Sequence, residues 1–228
     1  ILAGYTESVT LPAAGAQIVG APTAEYPRDG FVVRLSADGK SVLGAAYLGG
    51  SRGDEIHALA VDGAGNVYVA GRTDSTNFPV SVNALQRSPR SSRAWGEGFV
   101  AKLDANLQLV YATYLGGNEF EQILGIAVDG AGKAYVTGET FSDDFPTTPG
   151  VVRPAPCPGY NTDVFVSKLN GNGSALEYST LVCGRLADRG LAIAVDSAGN
   201  AYVAGETTSP DFPVTSPVPQ PSQRSTLE

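Results

Sequence analysis

Three carboxylates, Asp54, Glu121 and Asp188, recur at a constant spacing of 67 residues, each at the entrance of an apolar run. Acids gathered within about 10 Å of one another, one with a raised pKa, are the equipment of a glycan-active hydrolase or lyase. The same acids in solvated loops would serve no site. A second acidic series, Asp62, Asp129 and Asp196, opens the stretches DGAGN, DGAGK and DSAGN. Ala64, Ala131 and Ala198 stand where a calcium loop would place an oxygen ligand, so these aspartates are expected to cap hairpin turns. His57 is the sole histidine, and no local motif supplies partners for a catalytic triad or a metal site. It is read as a strand residue, and neither a metal nor a cofactor is expected. Arg52-Gly53-Asp54 spells a tripeptide read by some adhesion receptors, but three letters recur by chance. Trp95, the only tryptophan, sits in the polar stretch RSSRAWGEG with no counterpart elsewhere. It either offers a stacking surface to a carbohydrate or partner protein, or folds back onto the scaffold.

The elements that must position these residues follow from the repeat. VDGAGNVYVAG at 61–71, VDGAGKAYVTG at 128–138 and VDSAGNAYVAG at 195–205 are copies 67 residues apart, and the same offset superimposes Phe78-Pro79, Phe145-Pro146 and Phe212-Pro213. YLGG recurs at 47–50 and 114–117 and becomes LVCG at 181–184. Each copy holds four short runs of strand character. The first (Phe31–Leu35, Phe99–Leu103, Val164–Leu169) alternates apolar and polar residues, and turns rich in Asp, Asn and Gly lead to the second (Ser41–Leu48, Gln108–Leu115, Ala175–Val182). The third run carries columns of small residues, Ala58, Gly125, Ala192 and Ala60, Ala127, Ala194, as expected where another sheet approaches closely. The fourth places Tyr68, Tyr135 and Tyr202 at its second position, and these tyrosines, with the recurrent phenylalanines, are expected to fill the core between sheets. Arg34, Lys102 and Lys168 form a basic column on the first run, expected to pair with acids on neighbouring strands.

Four antiparallel strands per 67 residues without a helical period predict an all-β fold: a β-propeller of four-stranded blades, with about three blades plus one strand in this chain. The whole of 1–228 reads as one propeller arc. Residues 1–9 are the last strand of a preceding repeat. Full repeats follow at 30–79, 98–146 and 163–213, preceded by the variable loops 10–29, 80–97 and 147–162, and a Pro-rich tail occupies 214–228. In such a fold Asp54, Glu121 and Asp188 would gather at one mouth of the channel. With 28 Gly and 15 Pro among 228 residues the chain is dense in turns, and its net charge of −8 disfavours nucleic acid and anionic lipid surfaces as partners. No apolar stretch approaches the roughly 18 residues of a membrane span. Three blades and a strand fall short of a ring, so either self-association or continuation in a longer parent chain is expected.

The series D-x-A-G-N-x-Y-V-x-G-x-T-x-S-x-x-F-P, matched by Asp62, Gly65, Asn66, Tyr68, Gly71, Thr73, Ser75, Phe78 and Pro79, resembles the bacterial seven-bladed β-propeller (SBBP) repeat family. So do Phe99, Lys102 and Leu103 and the YLGG motif. Lys133, Leu11 and Cys183 depart from the pattern. The resemblance implies a secreted or cell-surface bacterial protein and no particular activity. On that footing the module is expected to bind or scaffold without catalysis, its partner a glycan or surface protein. The channel-mouth hydrolase and the purely structural spacer are the alternatives. Export to an oxidising compartment would also let Cys157, in the loop PAPCPGY, pair with Cys183 and pin that loop to its blade.

Overall fold

The computed structural model describes residues 1–8, 10–11, 17–20, 28–91, 96–152, 157 and 161–216. All regular structure among them is strand. β1 (Leu2–Thr6), β2 (Gln17–Gly20), β3 (Asp29–Leu35) and β4 (Val42–Gly49) make an N-terminal sheet in the order β1-β3-β4-β2. The next sheet runs β5 (Asp54–Val61), β6 (Val67–Thr73), β7 (Glu97–Leu103), β8 (Leu109–Leu115). A third repeats it with β9 (Glu121–Val128), β10 (Ala134–Thr140), β11 (Asp163–Leu169) and β12 (Leu176–Val182), and β13 (Asp188–Val195) pairs β14 (Ala201–Thr207) in a two-stranded last sheet. The fold is all-β, its sheets antiparallel except where β2 lies parallel to β4, and the sheets do not close into a ring.

The hydrogen-bonded unit is out of phase with the unit suggested by loop lengths. Each full sheet joins the third and fourth runs of one copy to the first and second runs of the next: β6 pairs β7 across the long variable segment, whereas the short link from β4 to β5 passes between sheets. A long loop does not separate strands whose edges carry complementary hydrogen-bonding groups. β2, from the variable segment 10–29, has no counterpart in the repeat; it caps the outer edge of β4, pairing Gln17 with Ala46 through Gly20 with Gly49.

β5, β9 and β13 are the inner strands, and their small residues do what the columns predict. A Cβ on Gly125 would meet the Ala192 Cα and Ile193 N at 3.1 Å, so β9 and β13 are in near backbone contact. The alternation expected of the first run is overridden by stacking. β7 is buried on both faces except at Lys102, because neighbouring sheets cover each side. Two apolar clusters result. Val32, Leu48, Ile56, Val69, Phe99 and Tyr114 fill one, and Val100, Leu115, Ile123, Val136, Phe165 and Leu181 the other.

Turn chemistry follows the sequence with one exception. Gly65, Gly132 and Gly199 take φ of 84°, 75° and 85°, and Gly39 and Gly173 take 69° and 68°. The position equivalent to Gly39 and Gly173 in the turn from β7 to β8 is Leu107, at φ 62°. That conformation costs an L-residue roughly 1–2 kcal/mol. The leucine offsets it by burying its side chain in the first cluster, within reach of Gly44 on the adjacent sheet. Leu107→Gly is therefore expected to destabilise the fold by about 2 kcal/mol despite the relieved backbone, read as a lower urea midpoint.

Candidate functional site

Asp54, Glu121 and Asp188 are the first residues of the inner strands β5, β9 and β13, and all three are fully buried. They are not solvated loop carboxylates. Asp54 Oδ2 accepts from the Gly50 amide at 2.7 Å and the Ser75 hydroxyl at 3.0 Å, and Thr73 also donates to this carboxylate. Glu121 accepts from the Thr140 hydroxyl at 2.7 Å, the Ser142 hydroxyl and the Gly117 amide. Asp188 accepts from the Gly184 amide at 2.7 Å, the Ser209 hydroxyl at 2.9 Å and the Thr207 hydroxyl. Each acid thus ties the strand end of one sheet to the T-x-S stretch leaving the next. The signal was present in the sequence: acid, YLGG end and T-x-S keep fixed offsets in every copy.

A second carboxylate faces each of the first two. Asp29, Glu97 and Asp163 start β3, β7 and β11. The point where a Cβ on Gly49 would sit lies under 3.0 Å from both Asp29 Oδ1 and Asp54 Oδ2, and the corresponding point on Gly116 is as close to Glu97 Oε1 and Glu121 Oε2. Burial pushes the carboxyls up: Asp29 to about 6, Asp54 and Glu97 to about 7, Glu121 to about 8. In the third copy Cys183 occupies the glycine position. Its sulfur, that of Cys157 and an oxygen of Asp163 lie within 4.8 Å of one another, but the sulfurs are joined as a disulfide. The Cα atoms of Cys157 and Cys183 are 6.2 Å apart, inside the roughly 7 Å limit for such a bridge. Both cysteines are buried, and the bond closes a loop spanning a sequence separation of 26. Reduction, or Cys157→Ser with Cys183→Ser, is expected to cost about 3 kcal/mol, measured by urea unfolding with and without a thiol reductant.

The remaining candidates are also engaged. Asp62 accepts from the amides of Ala64 and Asn66 at 3.0 and 2.9 Å, from the Asn66 side chain at 2.7 Å and from Tyr68 OH at 3.2 Å, and Asp129 and Asp196 repeat the turn cap. Tyr68 OH reaches the Gly132 carbonyl at 3.3 Å and Tyr135 OH the Gly199 carbonyl at 3.5 Å, coupling each sheet to its successor. Lys102 and Lys168 lie over the Tyr68 and Tyr135 rings at 4.8 and 4.7 Å, with Asp62 at 4.0 Å and Asp129 at 3.8 Å as their acids. Arg34 departs from the expected pairing and donates to the Ala105 carbonyl at 2.7 Å. His57 contacts Glu55 Oε2 at 3.1 Å and the Ile123 carbonyl at 3.3 Å, an arrangement unforeseen from sequence. Arg52-Gly53-Asp54 cannot present its acid to a receptor, since Asp54 has no exposed surface. Sequence reasoning also missed buried Glu139, which accepts from Gln122 and, at 2.5 Å, from Arg189, linking the third sheet to the last. Trp95 lies outside the described residues.

The family model for the SBBP beta-propeller repeat matches residues 44–79 and 177–213. Both segments run from the second strand of a copy through the inner strand and the hairpin to Phe-Pro, and so contain the acid, its glycine amide and its T-x-S donors. No curated protein matches the chain.

Proposed function

We propose that this chain, which carries beta-propeller repeats at 44–79 and 177–213, is a non-catalytic binding or scaffolding module of a secreted or surface-attached bacterial protein. One observation carries the reading: the polar residues that recur in every copy are spent inside the fold, while the segments 10–29, 80–97 and 147–162 differ from one another. Rigid strands presenting dissimilar loops are how a scaffold acquires a ligand without changing its core. The buried disulfide supports an oxidising location. Full burial of Asp54, Glu121 and Asp188 weighs against the hydrolase alternative, because a polysaccharide has no route to an acid without exposed surface. The ligand we assign is a glycan or another surface protein, met by the variable loops and the Trp95 segment. The test is a glycan array and a surface-protein panel on the intact chain, followed for both retention and product release. Retention without turnover, weakened at least tenfold by Trp95→Ala, is expected; release of sugar fragments would replace this reading with the enzymatic one.

A further inference from the structure

Asp29, Glu97 and Asp163 start equivalent strands, yet the three copies surround them differently. In the second copy the acid is supplied with donors: Glu97 Oε1 accepts from the Gln86 side chain at 2.5 Å, Oε2 accepts from the Arg90 and Ser91 amides at 3.2 and 3.3 Å, and the Arg90 charge favours its ionised form. In the third copy a cysteine replaces the glycine, and the bridge from Cys183 to Cys157 lies beside Asp163. The first copy has neither device.

Asp29 is only 5% exposed, and among the described residues no donor reaches its Oδ1. The groups that could have met it are turned elsewhere. The Arg28 guanidinium reaches Glu55 at 2.9 Å and Glu7 at 3.3 Å, and the Tyr47 hydroxyl donates to the Ser8 carbonyl at 2.8 Å. Asp29 Oδ1 faces Asp54 instead: a Cβ on Gly49 would lie 2.4 Å from Asp29 Oδ1 and 2.8 Å from Asp54 Oδ2. Two carboxylates buried against each other oppose one another's ionisation, and each has given up its hydration without gaining a counter-charge. Oxygens this close to one point can be bridged by a single hard cation, whose carboxylate ligands lie at about 2.0–2.6 Å, and a doubly charged ion cancels the pair. Gly49 leaves the space between the oxygens open, where any larger residue would put a methyl or methylene group.

We propose that Asp29 and Asp54 bind one divalent cation of the oxygen-seeking kind, Ca²⁺ or Mg²⁺, with Asp29 Oδ1 and Asp54 Oδ2 among its ligands. The ion ties the start of β3 in the N-terminal sheet to the start of β5 in the next, the junction that the second copy closes with neutral donors and the third with a disulfide. One ion per chain follows, because only the first pair lacks a substitute. In chelator, protons meet the charge instead, since burial lifts Asp29 to about 6 and Asp54 to about 7.

The test is the full chain, dialysed against EDTA and titrated at pH 8 with CaCl₂ or MgCl₂ alone, by calorimetry and by urea unfolding. One ion bound per chain and a raised urea midpoint are expected, and the two salts identify the ion. Asp29→Asn is the discriminating variant. It removes a charge where no hydrogen bond holds it, so the midpoint in EDTA should equal or exceed that of the unaltered chain while affinity falls at least tenfold. Glu97→Gln, in the pair that has its own donors, should leave affinity within about twofold of the unaltered chain, as expected of a distant independent site. No heat and no midpoint shift at up to about 10 mM of either ion, above the range of weak calcium modules, overturns the proposal. Binding that survives Asp29→Asn, or that Glu97→Gln abolishes, overturns it as well.

Discussion

The urea midpoint of the folded chain is expected to fall as the pH is raised from about 5 to 8, the reverse of a protein held by surface ion pairs. Burial lifts Asp29 to about 6, Asp54 and Glu97 to about 7, and Glu121 to about 8. An acid whose folded pKa lies above its unfolded value keeps its proton in the native state after the unfolded chain has released it. The native state then binds more protons, and stability declines with pH until the folded pKa is passed. The window opens near pH 4, where these side chains titrate in the unfolded chain, and closes near pH 8. A tenfold difference in proton affinity between the folded and unfolded chain corresponds to about 1.4 kcal/mol, so four such groups lower stability by about 5 kcal/mol or more across it. On the acid side the turn-capping Asp62 and Asp129 act oppositely: although burial opposes it, hydrogen bonds from Asn66, Ala64 and Tyr68, and from Lys133, Ala131 and Tyr135, hold them below the usual range. Their contribution is lost below about pH 4, where the decline on the other side opens, which places the maximum between about pH 4 and 5. Unfolding curves at pH 3, 5, 6.5 and 8 at constant ionic strength check this. Asp54→Asn with Glu121→Gln should flatten the limb between 5 and 8, and a midpoint rising over that interval would contradict the assignment.

Much of this arrangement was legible in the sequence. The 67-residue period, the turn aspartates with Gly65, Gly132 and Gly199 and the small columns on β5, β9 and β13 follow from residue type and offset alone, whereas the Cys157–Cys183 pair was expected only on the footing of export that the family resemblance implies. What escaped depends on which strand lies beside which. The long segment 80–97 looked like a boundary, yet β6 and β7 pair directly across it. Asp54, Glu121 and Asp188 read as loop acids because the donors that bury them, Thr73 and Ser75 and their equivalents, stand about twenty residues downstream, across a whole hairpin. The facing acids Asp29, Glu97 and Asp163 were missed for a simpler reason: unequal variable loops shift them off the strict period, to spacings of 68 and 66. β2 has no repeat to reveal it and forms because β4 offers an open edge.

Within this frame the glycine that ends β4 or β8 is more demanding than any turn glycine. Gly116→Ala is expected to destabilise the fold by about 4 kcal/mol, because the new methyl group would approach both Glu97 Oε1 and Glu121 Oε2 within 3.0 Å. Neither carboxylate can retreat cheaply. Glu97 is held by Gln86 at 2.5 Å and by the Arg90 and Ser91 amides at 3.2 and 3.3 Å, and Glu121 by Thr140, Ser142 and Gly117. Moving either adds an overpacking cost of about 1–3 kcal/mol to the loss of buried hydrogen bonds, whose stranded partners cost about 1–3 kcal/mol each. Gly130→Ala is the internal control. A Cβ there meets nothing within 4 Å, and its effect should stay within about 0.5 kcal/mol. Shortening one carboxylate makes room, so Glu97→Ala combined with Gly116→Ala should be less destabilised than the two single effects added together, whereas strict additivity would show that the methyl group and the acid do not compete for the same space. Cys183 is the natural counterpart of the same substitution: the third copy places a side chain at this point beside Asp163, its sulfur bonded to Cys157 and within 4.8 Å of an Asp163 oxygen, so here a covalent bridge occupies the space that Gly49 and Gly116 leave to paired acids.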